Sequence, residues 1–248
     1  MQDENKNMRK QPHLLVGAGE LNEIALLPGD PNRVEMIAAL ADEYEIISEN
    51  REYKICNVEY KGKSLTICST GIGCPSAAIA IEELCKVGVK KMIRVGTTGA
   101  LQKGIESGEF IIVTGAAKEE GTTKKYESEG YPAVAGHKVV SALIETAKLR
   151  DQKFHVGAVV TNDAYYAETE DYIEKWEKAG LLSVEMETSV VLTLSRRLRM
   201  EAGAILTVDG NLVEGSKKGE NKGEEFPRKV LDKIEEMGRI ALDASLLL

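Results

Sequence analysis

The 248-residue sequence contains no apolar run approaching the roughly 20 residues that cross a bilayer, so its length pattern excludes a membrane-spanning helix. Its opening stretch, MQDENKNMRKQP, is too polar for a signal peptide, and a cytoplasmic location is expected. The four cysteines, Cys56, Cys68, Cys74 and Cys85, form no C-x-x-C pair and sit in apolar surroundings. This argues against a disulfide framework and for reduced thiols in or near the core. Positive charge is in deficit: 32 Lys and Arg face 40 Asp and Glu, a net charge of −8. The overall field repels nucleic acid and anionic membrane, so neither is expected as a partner, and an anionic substrate needs a locally basic pocket. No cluster of metal-ligating residues occurs, no repeat occurs, and no composition break marks a linker. With 43% hydrophobic residues the chain can bury a full core, and a single domain over 1–248 is expected, with 1–12 as a flexible tail.

Short apolar runs alternate with longer helical patterns, which predicts an α/β fold with a largely parallel or mixed sheet. Strands are expected at EIALL, YKICNVEY, SLTICS, KMIRVG, EFIIVT, HVGAVVT and GAILTVD. Helices are expected at about 31–41, 75–87, 136–149, 169–179, 186–200 and 226–247. The strongly polar segment EGSKKGENKGEE, 214–225, follows the strand ending at Asp209 and is expected to be a mobile loop, either a lid or a connection.

Two glycine-rich stretches fail as nucleotide signatures. VGAGELN, 16–22, lacks the third glycine of a dinucleotide fingerprint, and GNLVEGSK, 210–217, has the serine and lysine of a P-loop in the wrong order. LLPGDPNRVEM is more telling. Asp30 is an N-cap residue, Pro31 suits the first helical position, and Arg33 then places a cation at the positive end of a helix dipole. An anion held by the N–H groups around Gly29 reverses that sign, with Arg33 clamping it; the plainer alternative is a surface pair with Asp30 or Glu35. IRVGTTGAL buries Arg94 in a strand ahead of an expected Gly-Thr-Thr-Gly turn. A cation there needs an anionic partner, either a carboxylate or a ligand such as phosphate, with Thr97 adjacent.

SVEMETSVVL places Glu185 and Glu187 around Met186 at an expected helix start, where acids favour the dipole and where a carboxylate also suits a sugar diol. GAILTVDGN ends a strand in Asp209, which either makes a turn or, in a desolvated pocket, holds a proton for delivery. NDAYY puts Tyr165 and Tyr166 after another strand, as packing or as a platform for a flat ligand.

Together PGDPNRV, NREYK, STGIGCPSAAIAIEEL, RVGTTGAL, VEMET and the strand ending in Asp209 occur in the order found in one family. The chain resembles the nucleoside phosphorylases of the hexameric purine and uridine type, over nearly its whole length. The resemblance implies a three-layer α/β/α fold with a central mixed β-sheet. It also implies a reaction in which phosphate displaces a nucleobase from ribose to give ribose 1-phosphate. By position it implies phosphate binding by Gly29, Arg33, Arg94 and Thr97, with Arg51 reaching in from a neighbouring subunit. Glu187 takes the ribose hydroxyls, Met186 packs on the sugar, and His13 of the neighbour meets the 5′-hydroxyl. Tyr165, Glu185 and Asp209 attend the nucleobase, with Asp209, Arg94 and Glu187 as the catalytic set. The implied assembly is a homo-oligomer, a hexamer built as a trimer of dimers; no metal or cofactor is expected, inorganic phosphate being a co-substrate.

The family pattern leaves the base open. The Gln-x-Arg pair that reads uracil in uridine-cleaving members is missing near NDAYYAETEDY, whereas GTTGA is closer to the uridine enzymes. The order VDG resembles one group of purine-cleaving members. Purine nucleosides are therefore favoured, with uridine cleavage, hydrolysis on the same fold, and a non-catalytic nucleoside or phosphate sensor as alternatives.

Overall fold

The PGDP stretch ends one element and begins the next, as its residue types predict. In the computed structural model, which describes residues 10–216 and 228–248, β1 (Ile24–Pro28) is buried throughout. Asp30 accepts the Asn32 N–H and caps α1 (Pro31–Ala38), which buries Val34, Ile37 and Ala38.

The strands β2 (Glu43–Asn50), β3 (Tyr53–Tyr60), β4 (Lys63–Cys68), β5 (Lys91–Ala100), β6 (Phe110–Glu119), β7 (Phe154–Asn162), β8 (Ser183–Glu185) and β9 (Glu201–Asn211) complete one nine-stranded mixed sheet with β1. Its order is β2-β3-β4-β1-β5-β8-β7-β6-β9, and β9 also pairs with β5, so the last five strands close on themselves. Helices lie on both faces. On one, α2 (Cys74–Val87) and α6 (Thr188–Arg197) pack on Leu27, Met92 and Leu206; on the other, α1, α4 (His137–Leu149) and α7 (Arg228–Leu246) cover Ile93, Val95 and Ile205. These are the three layers expected. A short α3 (Thr123–Tyr126), a 3-10 turn at Tyr165–Ala167 and α5 (Glu170–Lys178) lie between the strands of the closed half.

Three local expectations change, and a fourth set falls outside the described residues. β2 was not foreseen: it is an edge strand whose residues 43–46 are all exposed, so it carries no buried alternation to read. The Gly-Thr-Thr-Gly stretch is not a turn but the second half of β5, in register with Leu206–Gly210 of β9. The helix expected from 186 begins at Thr188, because Ser183–Glu185 pairs with β5 and β7 as a strand. Residues 217–225 of the expected lid and 1–9 of the expected tail lie outside the described residues, as do 226 and 227 of the last helix.

The sheet leaves one opening. β1 accompanies β5 only as far as Val95, and β8 joins that side of β5 at Gly99. Gly96, Thr97 and Thr98 therefore have a strand on the β9 side alone. A break between neighbouring strands, beyond the carboxyl end of one of them, is where α/β sheets bind ligands. Backbone groups there are free to meet something other than a strand.

Candidate active site

Arg94 sits on β5 two residues before the opening, and it is 3% exposed. Its Nε donates to Glu185 Oε2 at 2.9 Å, and its Nη2 lies 2.5 Å from Glu187 Oε2. The guanidinium folds back over Gly96: a Cβ at that position would fall 2.8 Å from Nη2 and 2.9 Å from Cζ, so any larger residue would require the arginine to shift. Both outcomes foreseen for this arginine therefore coexist. Two of its five N–H donors serve carboxylates, and the others have no hydrogen-bond partner among the described residues.

Glu185 is the holder of this arrangement. Its oxygens accept from Arg94 Nε, from Thr161 Oγ1 at 2.6 Å and from the N–H groups of Glu187 and Thr188 at 2.9 and 2.8 Å. That uses the lone pairs of a carboxylate, so in this structure Glu185, expected at the nucleobase, fixes Arg94 and the β8–α6 turn. It is also the last residue of a strand rather than part of a helical turn.

Glu187 is the N-cap of α6, and its Oε1 accepts the Gly73 N–H at 2.5 Å. Gly73 has φ +85° at the N-cap of α2, a conformation that favours glycine, so two helix starts meet at this carboxylate. Burial pushes the Glu187 carboxyl up, and Glu185 beside it adds to the rise, against the pull of Arg94, the Gly73 N–H and the charge of Arg33. For Arg94, burial pulls down, but Glu187 and Glu185 outweigh it and keep the guanidinium charged. Burial therefore wins at Glu187, which is destabilised as an anion despite the two buried arginines. The folded chain thus holds the Glu187 proton more tightly than the unfolded chain, whose value is near 4.5. The stabilising contribution is full below that value and is lost as pH rises through the folded-state pKa. Glu187→Gln is accordingly expected to gain unfolding free energy over the parent as pH rises from 5 to 8, while losing activity. Urea denaturation across that range checks the slope; a parent that keeps pace with the variant would count against it.

Arg33 is 7% exposed, so its guanidinium is buried rather than on the open surface, and its charge acts on Glu187. The acids nearest it in sequence are engaged elsewhere, Asp30 in capping α1 and Glu35 with Lys54. Gly29 follows the last residue of β1 beside the opening, and its carbonyl accepts the Gly71 N–H at 3.0 Å, which ties the two turns together. Thr97 lies in the opening, half-buried, opposite Thr207 of β9. Gly29, Arg33, Arg94, Thr97 and Glu187 thus converge where β1 stops.

Asp209 has a distinct placement. Thr98 pairs with Val208 and Gly99 with Gly210, so Asp209 is the extra residue of a β-bulge. A bulge re-aims the side chain it carries, and bulges gather next to active sites. Beyond it Asn211 fixes the exit of the strand, donating to the carbonyls of Gln102 and Ile105 and accepting from Val213 and Glu214. Met186 is the half-buried residue between buried Glu185 and Glu187, and Tyr165 is 39% exposed on the 3-10 turn after β7. Arg51 is exposed at the tip of the β2–β3 hairpin with φ +57°, and Asn50 beside it donates to the His13 carbonyl. His13 and Arg51 therefore share one edge of the molecule. Sequence reasoning missed Gly73, Gly96, Thr161 and Glu83; only Glu83, an acid on the apolar stripe of α2, left a signal in periodicity.

Among the described residues, no helix is long and apolar enough to cross a membrane, and no group of three or more His, Cys, Asp or Glu is placed to hold a metal. All four cysteines are free, three of them buried.

The family model described as Phosphorylase superfamily matches residues 23–246. The chain belongs to the phosphorylase superfamily. Its relatives within this superfamily include a guanosine phosphorylase of Halorubrum lacusprofundi, 53% identical over 96% of this chain and 98% of that protein. A uridine phosphorylase of Thermococcus kodakarensis is 38% identical over 86% of this chain and 82% of its own length. Among solved phosphorylase structures, the purine nucleoside phosphorylase of Toxoplasma gondii in complex with immucillin-H superposes with a TM-score of 0.88 at 32% identity, covering 97% of each chain. The uridine phosphorylase of Vibrio fischeri gives 0.88 at 34% identity, covering 96% of this chain and 98% of that one.

Proposed function

We propose that this chain is a nucleoside phosphorylase that uses inorganic phosphate to cleave the N-glycosidic bond of purine nucleosides, guanosine foremost, releasing the base and ribose 1-phosphate. The observation that carries the reading is Arg94, turned over Gly96 at the bare edge of β5, with donors left over after Glu185 and Glu187. The superfamily and the 53% identity to a guanosine phosphorylase support it, and Asp209 on its bulge supports the purine choice.

Phosphate is held by Gly29, Arg33, Arg94 and Thr97. The charges of Arg33 and Arg94 are matched by those of Glu185 and Glu187, so a dianion needs a further cation. The family resemblance supplies one in Arg51 of a neighbouring subunit, and with it a homo-oligomer, a hexamer as trimer of dimers. Glu187 binds the ribose hydroxyls, Met186 packs on the sugar, the neighbour's His13 meets the 5′-hydroxyl, and Tyr165 lies against the base. No cofactor enters beyond phosphate. Buried free thiols and the acidic surface suit a cytoplasmic enzyme of nucleoside salvage.

The test is release of base from guanosine, inosine, adenosine and uridine, each with and without phosphate, with ribose 1-phosphate assayed as co-product. Phosphate-dependent cleavage with guanosine or inosine ahead of uridine is expected. Equal turnover without phosphate would replace the phosphorylase by a hydrolase, and binding without cleavage would replace it by a sensor.

A further inference from the structure

Away from Arg94, a second buried carboxylate directs its hydrogen bonds to one short segment. Glu83 lies on α2 among Ala80, Leu84 and Val87 and is 4% exposed. A buried acid is unfavourable there unless donors surround it. Its Oε2 accepts the N–H groups of His13 and Leu14 at 3.1 and 2.8 Å, and its Oε1 lies 2.7 Å from His13 Nδ1. The same segment is held from outside by Asn50, whose Nδ2 donates to the His13 carbonyl at 2.8 Å, and the imidazole meets the Tyr53 ring edge-on at 6.5 Å between centroids.

We infer that Glu83 is a positioning residue that holds His13 in the tautomer with its proton on Nδ1, so that Nε2 is presented as a hydrogen-bond acceptor for the 5′-hydroxyl of a nucleoside. The first half follows from the donor and acceptor count. A carboxylate that already accepts two backbone N–H groups offers acceptors only, so the imidazole nitrogen facing it carries the hydrogen. Neutral imidazole then has its lone pair on Nε2, and among the described residues that nitrogen has no hydrogen-bond partner. The His13 side chain is 35% exposed, which leaves the ring reachable from outside the chain. The second half rests on the reading of His13 as a residue lent to a neighbouring subunit's nucleoside site. A carboxylate orienting a histidine through its far nitrogen is the arrangement that fixes tautomer and ring angle in other sites.

Glu83→Gln keeps the shape but reverses the polarity: the amide oxygen still accepts the backbone N–H groups, while the amide NH2 donates to Nδ1 and drives the proton to Nε2. Nε2 then presents a donor, so the 5′-hydroxyl, which bonds through its own hydrogen in the parent, has to turn and accept instead. With phosphate present, Glu83→Gln is expected to raise KM for guanosine about tenfold and to leave KM for 5′-deoxyguanosine within about twofold. His13→Ala is expected to abolish the difference between the two nucleosides, and adding Glu83→Gln to it is expected to change KM no further. Imidazole 15N shifts of the unsubstituted protein report the tautomer without any variant, and an Nδ1-protonated His13 is expected. Equal losses with both nucleosides, or an Nε2-protonated His13 in the parent, would overturn the assignment. A parent that cleaves neither nucleoside with phosphate removes the phosphorylase reading instead, and the tautomer measurement still decides the role of Glu83.

Discussion

Arg94→Ala is expected to lower kcat/KM for phosphate by about 10²–10³, the loss typical of one well-aimed donor in a water-poor site. It is also expected to destabilise the fold by about 3–5 kcal/mol, because removing one partner of a buried ion pair leaves the other uncompensated. Here two acids are left: Glu185 and Glu187, each 5% exposed, lose the guanidinium that bridges them. The two effects separate in a double variant. Arg94→Ala with Glu187→Gln is expected to recover part of the unfolding free energy, since only Glu185 then remains charged, without recovering phosphate use. Arg94→Lys offers another separation, because an ammonium keeps the charge but cannot place separate donors towards Glu185, Glu187 and an anion at once. Urea denaturation gives the stability arm, and initial rates against phosphate concentration give the other. A phosphate dependence that Arg94→Ala leaves untouched would reduce this arginine to a structural ion pair and remove the centre of the proposed site.

The parts of this site that were legible in the sequence are those fixed by local chemistry. Asp30 and Pro31 specify a helix start whatever surrounds them, and a charged residue inside the run KMIRVG demands a partner in any fold. The partner itself was not legible. Glu185 and Glu187 look alike in VEMET, two residues apart, and a helical turn would show them in similar surroundings. The three-residue strand β8 sends them to different tasks instead, one saturated by four donors and one shared between Arg94 and Gly73. Pairing of Ser183–Glu185 with β5 and β7 is a long-range event that no window of sequence contains. The same holds for the opening beside Gly96, which exists because β1 ends at Pro28 while β8 arrives only at Gly99. Gly96 read as a turn glycine; its work is to admit the Arg94 guanidinium. Edge strand β2 was missed for an opposite reason, since exposed positions such as Tyr44 and Ile46 follow no core-directed alternation.

Asp209→Asn is expected to lower guanosine cleavage by about 10²–10⁴, the usual contribution of a positioned general acid. Breaking the glycosidic bond develops positive charge on the ribose and negative charge on the departing base. Phosphate beneath the sugar answers the first, and a proton delivered to N7 of the purine answers the second. Asparagine preserves the size of Asp209 and can still donate a hydrogen bond, but it has no proton to transfer. The bulge at Asp209 makes the test sharp, because the ladder from Thr98–Val208 to Gly99–Gly210 skips this residue and does not depend on its side chain. Uridine has no N7, so its cleavage is expected to fall less than that of guanosine, and the ratio of the two rates measures the proton transfer apart from any general damage. Equal losses for the two nucleosides would assign Asp209 to shaping the strand exit alongside Asn211, and the proton donor would have to be sought elsewhere in the site.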